Sequence, residues 1–322
     1  MNKEIINIAI VGTGVIGNGW IARFIAKGYK VTAFDLAEGA EERTRAMINR
    51  VWPSLKELGI SENASLDNLT FAETLEEAVV DADYVQENVP EREDLKKSVL
   101  QSIDASTRSS VIIGSSTSGI MPSTLQDGLQ HPNRLIVAHP FNPVYILPLV
   151  EIVGGDKTSK ETIEIAEALF TDIAMKPLIV NKEIEGHIAD RLMEALWREA
   201  LHLVNDGIAT TEEVDKAIIY GAGLRWAQMG PFMTFHLAGG DAGMRHMLEQ
   251  FGPALKLPWT KLVAPELTDD LKDKVITGCE SSAGNMSISQ LEEMRNEFLV
   301  KQLELVADYW PVFNKKEESI GG

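Results

Sequence analysis

Six residues near the N-terminus constrain this chain more than any others: Gly12-Thr13-Gly14-Val15-Ile16-Gly17, a G-x-G-x-x-G turn. Such a turn carries weight through its context. Residues 5–11 form a continuous apolar, β-branched run, as a strand buried on both faces should. From residue 14 to 27 the apolar side chains fall at Ile16, Trp20, Ile21, Phe24 and Ile25, one face of a helix. Residues 30–34 read as a second strand ending at Asp35, close to the roughly twenty-residue spacing of the dinucleotide motif. Gly12 then permits the tight turn, Gly14 lets the backbone approach a pyrophosphate, Gly17 lets helix and strand pack closely, and the helix N-terminus favours phosphate charge. Asp35 would accept hydrogen bonds from adenosine ribose hydroxyls and repel a 2′-phosphate. The expected cofactor is therefore NAD rather than NADP, with FAD the competitor on these residues alone.

The rest of the first half alternates in the same way. Strand-like runs lie at 84–86, 111–114, 135–139, 149–153 and 178–180, with helical patterns between several of them. Thr74 with Glu77, and Thr158 with Glu161, have capping-box spacing and mark helix starts. The fold class this predicts is α/β, a doubly wound (Rossmann), mostly parallel sheet over residues 1–182. Beyond residue 182 the period becomes helical. Ile188, Leu192, Leu196, Ala200, Leu203 and Val204 form a stripe, Thr210 with Glu213 and Ser289 with Glu292 look like caps, and Leu291, Met294, Phe298, Leu305 and Tyr309 share a last helical face. Residues 183–322 are thus expected to be an all-helical second domain, ending in a polar, frayed tail at 314–322.

Charge removes several classes of partner. With 48 acidic and 30 basic residues the net charge is −18, a field that repels nucleic-acid backbones and anionic lipid surfaces. The N-terminal apolar run is short and stops at the glycine turn, so it reads as a strand rather than a signal peptide, and no window approaches the roughly 20 apolar residues of a membrane span. A cytoplasmic protein is expected. The single cysteine, Cys279, excludes an intrachain disulfide and a Cys-based zinc site, and reads as an inert thiol; no metal is expected.

A second informative stretch is Ala138-His139-Pro140-Phe141-Asn142-Pro143, at the end of a predicted strand. Ligands of open α/β sheets sit beyond strand C-termini, which puts His139 where the reactive end of a cofactor would lie. Glu151 sits inside the apolar run 149–153, where an acid is costly unless partnered. A histidine with a buried carboxylate is the pairing expected of a proton acceptor in alcohol oxidation, although a strand-end histidine also serves as a structural hydrogen-bonder. The hydroxyls of Ser115-Ser116-Thr117-Ser118 either orient a substrate or cap the next segment.

Together these residues resemble the L-3-hydroxyacyl-CoA dehydrogenase family over nearly the whole chain. The likeness runs through the glycine turn, Asp35, Val89-Pro90-Glu91, Ser116-Thr117-Ser118, His139-Pro140-Phe141-Asn142-Pro143 and residues 149–153. It implies a Rossmann domain followed by a helical, substrate-binding domain that dimerises. It also implies His139 as general base with Glu151 orienting it, Ser118 and Asn142 positioning substrate, and Glu91 and Lys96 near the cofactor. One departure matters: where the family usually has Asn in an N-R-L segment, this chain has Asp190-Arg191-Leu192. An acid there disfavours an acyl-CoA substrate. Gly221-Ala222-Gly223-Leu224-Arg225-Trp226, followed by Gly230-Pro231-Phe232, is similar to the branch that acts on L-carnitine or L-gulonate and includes crystallin-like structural proteins. Residues 190–210 and 239–262 look closest to the carnitine side of that branch. The expected substrate is accordingly a quaternary-ammonium 3-hydroxy acid, L-carnitine, held by Asp190, Trp197, Trp226 and Phe232, since such a cation seeks aromatic faces and negative charge. Glu199, Phe235 and Trp259 are further candidates. L-gulonate, another 3-hydroxy acid or a dinucleotide-binding protein without turnover remain the alternatives.

Overall fold

The computed structural model describes residues 6–226 and 229–260, with scattered positions between 268 and 305. Cys279, the cap expected at Ser289 and Glu292, Phe298 and Tyr309 of the last stripe, and the tail at 314–322 lie outside the described residues. The chain divides into two compact units, Met1–Met193 and Glu194–Gly322.

The first unit is built on one eight-stranded sheet. Its strands are β1 (Asn7–Val11), β2 (Lys30–Phe34), β3 (Leu69–Phe71), β4 (Tyr84–Glu87), β5 (Ile112–Ser115), β6 (Leu135–Pro140), β7 (Leu149–Gly154) and β8 (Lys176–Val180). Their order is β3-β2-β1-β4-β5-β6-β7-β8. Neighbours are parallel except β6 and β7, which run antiparallel. Helices α1 (Val15–Ala26), α2 (Ala40–Leu58), α3 (Leu75–Val79), α4 (Glu93–Ser106), α5 (Pro122–Leu125) and α6 (Lys160–Asp172) connect the strands. Side chains alternate across a strand, and β1 divides accordingly. Ile8 and Ile10 join a core with Trp20, Phe24, Ile48 and Phe170, while Ala9 and Val11 join one with Val79, Leu100, Ile103 and Leu125. A core on each face is what makes residues 8–11 of β1 apolar without a break, as in a doubly wound sheet.

One local expectation needs correction. Thr158 does not cap α6; Ser159 does, accepting from the Thr162 amide. The Thr158 hydroxyl is taken up elsewhere, donating to the Leu135 carbonyl (2.7 Å) and accepting from the Gly155 amide (2.9 Å), so the helix starts one residue later. The edge strand β3 lacks a sequence signal, being a three-residue Leu-Thr-Phe segment held by its backbone against β2.

Beyond the sheet, α7 (Ala189–Asn205) crosses the division between units, and α8 (Thr211–Ala217), α9 (Gly223–Trp226), α10 (Pro231–Ala238) and α11 (Gly243–Phe251) follow. Thr210 and Glu213 form the capping box expected of them. The described residues of the second unit are helix and turn. The α7 stripe is present, yet Leu192, Leu196 and Val204 are exposed in the single chain. Among the described residues no helix is long and apolar enough to cross a membrane.

Candidate active site

The glycine turn joins β1 to α1. Gly12 has φ +88°, and a Cβ there would lie 2.9 Å from the Asn88 carbonyl group. A Cβ on Gly17 would lie 1.9 Å from the Gly12 oxygen, so that position has no room for any side chain. Gly14 differs: a Cβ there would meet nothing within 4 Å. It faces open space at the start of α1, whose first turn no side chain caps, leaving its amides for an anion. Asp35 follows β2 and ties the two ends of the cradle together. Its Oδ2 accepts from the Thr13 amide (2.6 Å) and hydroxyl (3.0 Å), and its Oδ1 from the Ala37 amide (2.8 Å). These residues open onto a cavity of about 720 Å³, also lined by Val15, Ile16, Val89, Glu91, Lys96 and Ser118. That volume is of the size cofactor clefts have. A glycine wall, uncapped helix amides and a carboxylate at the second strand fit a dinucleotide.

Lys96 contributes differently from a free surface cation. It is fully buried, and its Nζ donates to Glu87 Oε1 (3.0 Å) and the Val89 carbonyl (3.0 Å), with Glu91 Oε2 at 3.5 Å. Glu87, at the end of β4, also accepts from the Ser115 hydroxyl and the Val89 amide. Burial pushes its carboxyl above the ordinary value, against the opposing pull of Lys96 and these hydrogen bonds. Sequence reasoning passed over Glu87, although an acid in a buried strand was the signal that singled out Glu151. Glu91 Oε1 in turn accepts from the Thr117 hydroxyl, the Ser118 amide (3.1 Å) and the Gly119 amide (3.3 Å). In the hydroxyl run Ser115, Ser116 and Thr117 are thus bonded inward, Ser116 to Asn88. Ser118 is exposed at the cavity.

The antiparallel pairing of β6 and β7 sets His139 opposite Glu151. His139 Nδ1 lies 2.9 Å from Glu151 Oε2, with His139 nearly and Glu151 fully buried. Glu151 Oε1 accepts from the amides of Ile188 (2.9 Å) and Ala189 (3.0 Å), where α7 begins. Burial alone would raise this carboxyl. The bond from His139 and those two amides outweigh burial and hold it below the usual carboxylate range. An ionised carboxylate can only accept, so Nδ1 carries a proton, and in the neutral ring Nε2 is then the nitrogen with the lone pair. Beside Nε2, at 3.6 Å, stands Asp190 Oδ2.

His187 is a second imidazole that sequence reasoning missed, because helical periodicity starts just after it. It is buried, its backbone is left-handed at φ +45°, and its ring centroid lies 5.3 Å from that of His139. Its Nε2 donates to the Thr117 carbonyl (3.3 Å), and Nδ1 has no hydrogen-bond partner among the described residues. Burial lowers its pKa. The links Glu91–Thr117, Thr117–His187 and His187–His139 connect the cavity wall to the imidazole–carboxylate pair. Asn142 is exposed in the loop after β6, which buried Arg23 of α1 holds by donating to the carbonyls of Val144 (2.6 Å) and Leu147 (2.9 Å). Trp197, Trp226 and Phe232 belong to the second unit and are exposed.

Comparison with known proteins gives a consistent outcome. Residues 7–184 match the family model described as 3-hydroxyacyl-CoA dehydrogenase, NAD binding domain, and residues 186–275 match 3-hydroxyacyl-CoA dehydrogenase, C-terminal domain. The chain is 68% identical to the L-carnitine dehydrogenase of Oceanobacillus iheyensis, over 94% of this chain and 99% of that protein. It is 62% identical to that of Bacillus cereus, over 98% of this chain and 96% of the relative. Among solved structures, a 5-formyl-3-hydroxy-2-methylpyridine 4-carboxylic acid 5-dehydrogenase, an NAD+-dependent dismutase, superposes with TM-score 0.73 at 28% identity, covering 93% of this chain and 98% of that one.

Proposed function

This chain belongs to the 3-hydroxyacyl-CoA dehydrogenase family and is an NAD-dependent dehydrogenase, and we propose that it oxidises the 3-hydroxyl of L-carnitine to 3-dehydrocarnitine. The printed function of the relatives at 68% and 62% identity supports that substrate. Within the site the observation that carries it is Asp190, whose carboxylate lies 3.6 Å from His139 Nε2. In carnitine the trimethylammonium sits on the carbon next to the one bearing the hydroxyl. A hydroxyl hydrogen-bonded to Nε2 therefore brings the cation alongside that carboxylate, whereas the thioester carbonyl of an acyl-CoA would meet an anion there. For the methyl groups we propose the exposed aromatic faces of Trp197, Trp226 and Phe232.

In this reading Gly12, Thr13, Gly14, Val15, Ile16, Gly17 and Asp35 hold the pyrophosphate and ribose, with Glu91 and the buried Lys96 shaping the wall beyond. NAD, when bound, supplies the acceptor for the hydride from C3. The chain's own residues manage the proton. His139 Nε2 accepts it from the hydroxyl, Glu151 stabilises the resulting imidazolium and fixes the ring tautomer, and Ser118 and Asn142 orient the substrate. We further propose a cytoplasmic homodimer, its contact drawn from exposed apolar residues of the second unit such as Leu201 and Ile208; sedimentation of the purified protein tests the dimer.

The test of the function is reduced-cofactor absorbance over a panel of L-carnitine, L-gulonate and uncharged 3-hydroxybutyrate. L-carnitine is expected to be turned over with much the highest kcat/KM, and His139→Ala to lose roughly 10²–10⁴-fold in kcat. Equal efficiency on 3-hydroxybutyrate, or preference for L-gulonate, overturns the substrate assignment. Near-parental turnover by His139→Ala overturns the base.

A further inference from the structure

We propose that Asp190 is the exit for the proton that His139 takes from the substrate, a role in turnover beyond any part it has in holding the cation. The inference rests on the reading of His139 as the base. A base of this kind must discard its proton before the next turnover, and here the imidazole is nearly buried.

The groups facing the ring leave few routes. From β7, Glu151 holds Nδ1–H, but it is fully buried and its other oxygen already accepts two amides, so a proton handed there has nowhere to go. From the turn before α7, His187 packs against the ring; its Nε2–H goes to the Thr117 carbonyl and its Nδ1 has a lone pair to offer, but the side chain is fully buried, so a proton taken there has no way out to water. Phe141, edge-on to His139, offers no acceptor. From α7 itself, Asp190 sets a carboxylate 3.6 Å from Nε2 while its side chain remains 21% exposed. Among these neighbours it alone combines reach to the proton-bearing nitrogen with reach to water.

The balance is simple. Oxidation removes a hydride and a proton from the secondary alcohol, and the hydride, with its electron pair, goes to the NAD of the established family. The hydroxyl proton goes to Nε2, giving an imidazolium. Nε2–H then transfers to the Asp190 carboxylate, the carboxylic acid so formed loses its proton to water, and both residues return to their starting states. Carbonyl reduction runs the same steps backwards. An amide cannot take part, because it has no basic oxygen at neutral pH.

The experiment compares Asp190→Asn and Asp190→Glu with the parent enzyme in stopped flow, with L-carnitine and NAD. NADH absorbance and a pH indicator are followed together in weak buffer, then in rising imidazole at fixed ionic strength. In Asp190→Asn, KM for L-carnitine should rise because the cation contact is lost. With L-carnitine raised to saturate the variant, the first turnover of NADH should be slowed much less than the steady state, proton release should lag behind it, and steady-state kcat should fall roughly 10–100-fold. Imidazole should restore kcat, and the solvent deuterium effect on kcat should grow. Asp190→Glu, which keeps a carboxylate, should release protons without the lag. A raised KM for L-carnitine with unchanged kcat would overturn the proposal and leave Asp190 a cation contact. It is overturned equally by a kcat loss indifferent to imidazole and D2O, or by a first turnover slowed as much as the steady state. His139→Ala, assayed alongside, separates the two readings. If it keeps turnover, the base is wrong; if it is inactive while Asp190→Asn shows no lag, the exit alone is wrong.

Discussion

Glu151→Gln is the substitution that bears hardest on the imidazole–carboxylate pair. The side chain keeps its size, so its effect comes from hydrogen-bond polarity and charge. In the parent, Oε1 accepts from two amides, of Ile188 and Ala189, and Oε2 accepts from His139. A glutamine has one oxygen for these two sites. Turning its NH2 toward the amides would set donors against donors and forfeit two buried hydrogen bonds, at about 1–3 kcal/mol each. The oxygen therefore stays with the amides, and the NH2 donates to His139 Nδ1. That forces the other tautomer, with the proton on Nε2, where the proposed mechanism has the substrate's proton go. Restoring the useful tautomer costs about 2–4 kcal/mol, and the imidazolium also loses a charge-assisted partner worth about 1.5–3 kcal/mol. The sum, about 3.5–7 kcal/mol, corresponds to a loss in kcat of roughly 300-fold to 10⁵-fold, at 1.36 kcal/mol per decade. KM for NAD should change little, because Asp35 and the glycine turn are untouched. Initial rates of NADH formation with saturating L-carnitine measure this directly. A loss below tenfold in a protein that melts like the parent would refute the tautomer argument.

Three further outcomes follow from the same geometry. Gly14→Ala should fold with an unchanged melting temperature but bind NAD at least tenfold more weakly, whereas Gly17→Ala should fail to fold or melt far lower, since its Cβ would sit 1.9 Å from the Gly12 oxygen. Unaltered NAD affinity in Gly14→Ala, by calorimetry, would refute the assigned phosphate contact. Arg23→Met leaves the carbonyls of Val144, Leu147 and Ile173 without their donor, a loss of about 3–5 kcal/mol in urea unfolding; a loss under 1 kcal/mol would mean that the loop rehydrates freely. For Asp104, burial raises the carboxyl, but Arg134 and the amides of His131 and Gln130 outweigh it and depress the native value. A depressed carboxyl stabilises the fold above the unfolded value of about 3.9 and loses that contribution as pH falls through the native one. The parent should therefore lose stability below about pH 4, and Asp104→Asn should be less stable at neutral pH but flatter through that range. An equally steep acid limb in the variant would assign the titration to other groups.

How much of this was legible in the sequence follows from which interactions are local. The glycine turn, the buried strands and Asp35 were readable because a strand covered on both faces must be apolar throughout and a dinucleotide turn has a fixed spacing. His139 and Glu151 stood out for a related reason, as polar groups in apolar runs. Their register did not. Whether β7 runs with β6 or against it is decided by the connection through residues 141–148, and the antiparallel choice is what sets the two side chains opposite one another. Other misses are tertiary too. Ser159 rather than Thr158 caps α6 because the Leu135 carbonyl claims the threonine hydroxyl. Lys96 was expected near the cofactor and does line the cavity, but its charge is directed into the sheet at Glu87. His187 owes its place to a left-handed backbone that no periodicity announces.

Two buried glutamates lie in strands of this sheet, and their environments push them opposite ways. Glu87 is raised by burial in spite of Lys96, while Glu151 is held down by His139 and two amides in spite of burial. On the proposed mechanism, the partners explain why proton chemistry would fall to one and bracing to the other. An ammonium keeps its charge through the range in which an imidazole changes it, so the pairing of Glu87 with Lys96 favours no protonation state there. Beside His139, however, a carboxylate favours the imidazolium over the neutral ring, and the preference grows with the exclusion of water. A base in this position gains stabilisation as it accepts the proton, when the reaction needs it. Among the buried acids of the sheet, the one whose partner can change charge is the one at residue 151.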